Sequence, residues 1–220
     1  MLGGYNTYMT VAVTTPAGSV ALSGDLTPVD NAQGLIIFVH GSGSSRLSER
    51  NRYVARVLND AHLATLLADL LTPEEERLDA RTAEFRFNIP LLAERTGHMI
   101  DWAQSHDDVK QLPIGLFGAS TGAAAAIIAA TERPEQTRAV VSRGGRGDLA
   151  GPWLPRLQAP LLLIVGGLDT AVLELHEQIL PQLQTHYSYE IVPGATHLFE
   201  EPGTLDVVAN LAIAWFQRYL

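Results

Sequence analysis

Apolar runs of strand length alternate along the chain with longer segments whose apolar positions recur at helical spacing. Leu35–Val39 (LIIFV) is apolar throughout, as a strand buried on both faces requires. Further strands are predicted over residues 63–68, 113–117, 137–142 and 160–165, and over Tyr187–Val192. Helices are predicted between them. Residues 45–61 place Tyr53, Val54, Val57 and Leu58 on one face, and residues 89–104 open with Pro90 in the first turn. An alanine-rich helix covers 121–131, and two more cover 171–183 and 205–219. Strand–helix alternation of this kind builds βαβ units around a mostly parallel sheet. The start of the chain differs. Residues 9–14 and 19–23 alternate apolar with polar or small residues around Pro16, Ala17 and Gly18, which predicts an antiparallel hairpin. The expected class is therefore α/β: a mostly parallel central sheet, an N-terminal antiparallel hairpin, helices on both faces and no large cap domain.

Residues 71–88 are the least regular segment. Glu74, Glu75 and Glu76 form an acidic cluster there, expected to be a solvated face. The alternative is a short flap beside a site, because the segment leaves the end of a strand where ligands bind in such sheets.

The chain has 220 residues, enough for one domain with a sizeable core. A net charge of −9 with almost no lysine argues against a nucleic-acid partner, whose phosphates need clustered cations. No cysteine is present, which excludes a disulfide scaffold, a cysteine zinc site and a cysteine nucleophile. Residues 1–10 lack a basic region followed by an apolar run, so no signal peptide is expected. No apolar stretch approaches the roughly 20 residues of a membrane helix. The expected location is cytoplasmic, without a membrane partner.

The candidate chemistry centres on Gly118-Ala119-Ser120-Thr121-Gly122, a G-x-S-x-G between a strand and a helix. A nucleophile elbow needs that setting: the serine sits on a sharp turn, and only very small residues fit two positions before and after it. The competing reading is a glycine-rich turn with Ser120 as a helix cap. A serine hydroxyl needs a base. Of seven histidines, His197 stands out, in the loop after the last strand and before the last helix. His40, His62, His98, His106, His176 and His186 are expected to be surface or structural, with His40 ordering the loop that follows Val39. Asp169, directly after the strand at 160–165, completes the order Ser, Asp, His. Its alternative role is a helix cap, and Asp148 is the reserve carboxylate. Glu200 and Glu201 read as the acidic entry to the last helix. The oxyanion hole is expected from the backbone N–H groups of Thr121 and of Ser42, the latter in His40-Gly41-Ser42-Gly43. Arg143 and Arg146 end a strand near the site. They are candidates to bind an anionic substrate, or to pair with Asp148 and surface carboxylates.

The segments HGSGSSR, FGASTG, VGGLD and GATHLFEEP resemble the α/β-hydrolase superfamily in order and spacing, over essentially the whole chain. Within it the chain looks like the small, lidless dienelactone hydrolase-like group, and like bacterial hydrolases sometimes fused to a phosphoribosyltransferase domain. No counterpart of that domain is expected here. The resemblance implies the α/β-hydrolase fold. Dienelactone hydrolases proper use a cysteine nucleophile, whereas this chain has Ser120. The expected activity is therefore hydrolysis of small, water-accessible carboxylic esters through an acyl-enzyme on Ser120, His197 and Asp169. Alternatives are lactone hydrolysis, an acyltransferase or peptidase on the same triad, and an accessory binding domain that keeps the fold. No phosphate loop, G-x-G-x-x-G or H-E-x-x-H occurs, so neither cofactor nor metal is implied. Arg146-Gly147-Asp148 is a coincidental adhesion tripeptide. The expected partner is a small-molecule ester, and the sequence carries no sign of oligomeric state.

Overall fold

Strands Val11–Ala17 (β1), Val20–Thr27 (β2), Leu35–Val39 (β3), Ala64–Ala68 (β4), Ile114–Ala119 (β5), Thr137–Arg143 (β6), Leu161–Gly166 (β7) and Tyr187–Val192 (β8) form one sheet. Their order is β1-β2-β4-β3-β5-β6-β7-β8 in the computed structural model, which describes residues 8–220. The leader reading of residues 1–10 falls for its first seven outside the described residues. The pairs β1–β2 and β2–β4 are antiparallel and all others parallel. Every residue of β3, β4, β5 and β7 is buried, because helices cover both faces.

The hairpin turns two residues later than expected. Ala17 pairs with Val20, so the loop is Gly18–Ser19, with Gly18 at φ +65°. A glycine in the first central position suits a two-residue hairpin turn. Pro16 instead lies inside β1, opposite Ala21. A proline lacks the N–H a central strand needs, and β1 is an edge strand.

The first helix (Glu49–Asp60, α1) starts four residues later than expected. Ser48 caps it by accepting the Asn51 N–H, and residues 41–48 form two turns instead, closed by the Ser44 N–H on the Gly41 carbonyl and the Ser48 N–H on the Ser45 carbonyl. The irregular segment contains a second helix, Pro73–Thr82 (α2), which the sequence reading missed. Its start signal is local. Thr72 Oγ1 accepts the Glu75 N–H (3.2 Å) and Glu75 accepts the Thr72 N–H (2.8 Å), with Pro73 in the first turn. The third helix is Ile89–Ala103 (α3), the fourth Thr121–Glu132 (α4), the fifth Thr170–Ile179 (α5) and the sixth Thr204–Tyr219 (α6). The fifth was expected to reach residue 183. Pro181 cannot continue an α-helical hydrogen-bond pattern, and Leu180–Gln182 tightens into a 3-10 turn. The helices α3 and α4 cover one face over Ile37, Leu66, Leu116 and Val140. The other face, with Phe38, Phe117, Val141 and Ile164, is covered by α1 and α6.

The acidic cluster is not one solvated face. Glu74 pairs with Arg77 in solvent. Glu75 caps α2 and receives both terminal nitrogens of the buried Arg95, at 2.6 and 2.8 Å. Arg95 also donates to the Leu70 carbonyl (2.6 Å), so α2 is tied to α3 and to the end of β4. Hydrogen bonds from Arg95, with lesser help from Thr72, hold the Glu75 carboxyl below its usual range despite burial. A carboxylate lowered in the folded state stabilises above the ordinary glutamate range and loses that contribution as pH falls through and below it. Glu75→Gln is therefore expected to cost about 1–3 kcal/mol at neutral pH, because Arg95 keeps a buried, unpaired charge. In urea melts the deficit should shrink at pH 3. An equal deficit at both pH values would show that the cap, not the charge, is what matters.

Candidate active site

The strand β5 runs straight into Ser120 and α4 runs straight out of it. Ser120 has φ +51° and ψ −124°, a conformation that costs any L side chain and that the surroundings enforce. Its N–H donates to the Arg143 carbonyl (3.2 Å), and its own carbonyl accepts from Ala123 (3.1 Å) and Arg146 (3.0 Å). Small neighbours make the turn possible. A Cβ on Gly118 would stand 2.5 Å from the Ala123 Cα, and one on Gly122 would enter the carbonyl oxygens of Val39 and His40. The Ser120 side chain caps nothing, which removes the helix-cap reading.

Two strand ends bring the other expected groups to this turn. Asp169 follows β7 through Gly167 and Leu168, and His197 lies between β8 and α6. His197 Nδ1 is 2.6 Å from Asp169 Oδ2, and His197 Nε2 is 3.3 Å from Ser120 Oγ. The Asp169 side chain is 10% exposed and makes no cap bond, although it precedes α5. With a proton on Nδ1 donated to Asp169, Nε2 is left to accept the serine proton. Two glycines admit the histidine loop: a Cβ on Gly166 would meet the carbonyls of Ala195 and Thr196, and one on Gly144 would stand 3.2 Å from the His197 carbonyl oxygen. Asp148 is elsewhere, in a two-bond pair with Arg146 at 2.8 Å each. That also ties up Arg146, so of these two arginines Arg143 alone has no carboxylate partner among the described residues.

Glu201 was expected only as an acidic helix entry. It accepts the Thr196 N–H (3.0 Å) and hydroxyl (2.7 Å), so it positions the residue before His197. Those bonds draw its carboxyl below the usual range. No local pattern marks this bond, because it closes a loop rather than a helix turn.

The loop after β3 passes beside Ser120. A Cβ on Gly41 would stand 3.0 Å from the Ser120 Cβ. His40 is buried, its Nε2 accepting the Leu70 N–H (3.0 Å) and its Nδ1 bonding the Gly41 carbonyl (3.0 Å). Burial lowers its pKa and keeps it neutral, so its role is to order the loop. Ser42 and Thr121 are brought together as expected, but not as two free amides. The Ser42 N–H donates to the Thr121 hydroxyl, at 2.9 Å. The loop opens onto a cleft of about 620 Å³ shared with Leu47, Arg50, Leu71, Glu76 and Arg86.

Arg143 is 7% exposed, and among the described residues its Nε and Nη1 have no partner. Its guanidinium lies 5.9 Å from the Phe199 ring centre. Burial and the nearby Arg50 push its pKa down to about 10, so it remains charged at neutral pH. Among the described residues no three His, Asp or Glu side chains are grouped to hold a metal ion. No described helix is long and apolar enough to cross a membrane.

No family model matches the chain. Solved structures do. A dienelactone hydrolase from Anabaena variabilis is 54% identical, over 97% of this chain and 99% of that one, with a TM-score of 0.95. Est1E from Butyrivibrio proteoclasticus is 16% identical over 94% and 98% of the two chains (TM-score 0.78), a likeness of fold. Among curated proteins, Rv0571c of Mycobacterium tuberculosis is 53% identical over 204 residues. Its name assigns it provisionally as a phosphoribosyl transferase. The match covers 93% of this chain but 45% of that protein, so the name belongs to a chain more than twice as long as the shared part. With its eight-stranded sheet and a nearly full-length relative at 54% identity, the chain belongs to the dienelactone hydrolase-like group of the α/β-hydrolase superfamily.

Proposed function

We propose that the chain hydrolyses carboxylic esters of small organic molecules through an acyl-enzyme on Ser120. The observation that carries this reading is the His197 ring, 2.6 Å from Asp169 on one side and 3.3 Å from Ser120 on the other, above a strained elbow. Ser120 Oγ attacks the ester carbonyl as His197 Nε2 takes its proton. The carbonyl electrons move onto oxygen and return as the alkoxide leaves with the proton from Nε2. Water then attacks the acyl group with His197 again as base, and Ser120 is restored. Asp169 holds the imidazole with its proton on Nδ1. The cleft beside the β3 loop is within the size range that takes small organic ligands. Arg143, charged and without a carboxylate partner, is the residue assigned to an anionic group on the substrate. The serine in place of cysteine favours ordinary esters over the lactones for which the group is named.

A fluorophosphonate probe should label Ser120 in the wild type, and label nothing in Ser120→Ala. Aryl-ester hydrolysis should fall toward acid pH, because a protonated Nε2 accepts nothing from Ser120. A protein that hydrolyses aryl esters with no label at Ser120, or with a flat acid limb, would overturn the assignment.

A further inference from the structure

From the sequence, the Ser42 and Thr121 amides are expected to meet the substrate oxygen directly. The structure gives the Ser42 N–H another partner, the Thr121 hydroxyl, at 2.9 Å across 79 residues of sequence. Thr121 is 2% exposed and directly follows Ser120. Its hydroxyl oxygen is thus occupied as an acceptor, while its proton has no acceptor among the described residues. Other buried helical threonines behave differently. Thr96 and Thr131 each return their proton to the carbonyl four residues earlier, at 2.8 Å. Thr121 opens α4, so the residue four before it lies in β5 and no turn of helix precedes it. For the same reason its own N–H has no intrahelical acceptor.

We propose that the Thr121 hydroxyl is a side-chain donor of the oxyanion hole, fixed by the Ser42 N–H and giving its proton to the oxygen of the tetrahedral intermediate. The inference rests on the reading of Ser120 as nucleophile. The N–H and hydroxyl of one threonine are three bonds apart, so both can face a single oxygen beside Ser120. The Ser42 amide then acts through the hydroxyl. It sets the rotamer before substrate arrives and polarises the O–H, and donors already oriented stabilise developing charge without reorganising. No proton changes owner; the hydrogen bond strengthens as the carbonyl oxygen becomes an oxyanion. Thr121 is on this account a catalytic residue, and Ser42 a positioning one.

The test compares Thr121→Val, which keeps the branched shape, with Thr121→Ser, which keeps the hydroxyl. Removal of one such donor costs about 10²–10³-fold in kcat in comparable enzymes. The valine variant should lose about 10²-fold in kcat on an aryl ester with KM little changed, and should bind an alkylboronic acid, which forms a tetrahedral adduct on the serine, more weakly by a similar factor. The serine variant should stay within a few-fold of wild type in both measurements. Thr121→Ala carries the valine expectation if that variant fails to fold. A valine or alanine variant with wild-type or higher kcat would overturn the inference, because the freed Ser42 amide would then be serving directly. Such a result, in an enzyme whose wild type labels at Ser120, overturns this inference alone. A wild type that neither labels nor hydrolyses overturns the esterase reading as well.

Discussion

Ser120→Ala is expected to lower kcat for an aryl ester by about 10⁶-fold, leaving the residual rate that binding and the oxyanion donors supply. The size follows from the geometry. Ser120 Oγ is the atom 3.3 Å from His197 Nε2, the proposed base, and a water admitted in its place would not be held there. Because the groups act as one unit, Ser120→Ala combined with His197→Ala should be no slower than Ser120→Ala alone. A clear further loss in the double variant would mean that His197 serves some other nucleophile. The same position offers a stability readout independent of rate. At φ +51° an alanine pays nearly the same conformational cost as serine, whereas glycine does not. Ser120→Gly should therefore be as inactive as Ser120→Ala yet more stable than it by about 1 kcal/mol, measured in urea. Equal stability would show that the elbow is not strained at this residue.

The strain is held in place by groups far apart in sequence, and this marks the boundary of what the chain's pattern reveals. The buried strands β3, β5 and β7 were legible because each is an apolar run: β3 falls where the pattern puts it, and β5 and β7 extend past their predicted ends by two and one residues of the glycine-bearing turns. Ser120, Asp169 and His197 were legible because strand–turn–helix context and chain order are local or ordinal signals. The helix α2 carried a signal too, in Thr72, Pro73 and Glu75, but three successive glutamates obscured it as a charged run. Pro16 misplaced the hairpin turn because its tolerance in a strand depends on whether that strand lies at an edge, and edges are a property of the assembled sheet. The bond from Ser42 to the Thr121 hydroxyl, the grip of Glu201 on Thr196, and the isolation of Arg143 each depend on how loops meet above the sheet. Neither periodicity nor spacing encodes such meetings.

The choice between two carboxylates is where sequence order and structure can be tested most sharply against each other. Asp169→Asn is expected to reduce kcat by about 10⁴-fold while leaving the fold intact. The aspartate oxygen 2.6 Å from His197 Nδ1 accepts a proton there, which keeps Nε2 bare for Ser120. An asparagine of the same shape can turn its NH2 toward the ring. Nδ1 then becomes the acceptor, the ring proton moves to Nε2, and the nitrogen facing Ser120 can no longer take its proton. The side chain is only 10% exposed, so water has little room to restore the right tautomer. Asp148→Asn supplies the control. Asp148 pairs with Arg146 through two bonds of 2.8 Å and does not touch His197. Its loss should cost a partly exposed ion pair, about 1 kcal/mol or less of stability, and less than ten-fold in rate. If Asp148→Asn proved the slower enzyme, the orienting carboxylate would be the one after β6, and His197 would have to leave Asp169 to reach it. If neither variant lost more than ten-fold, the imidazole would be held by packing against Gly144 rather than by charge.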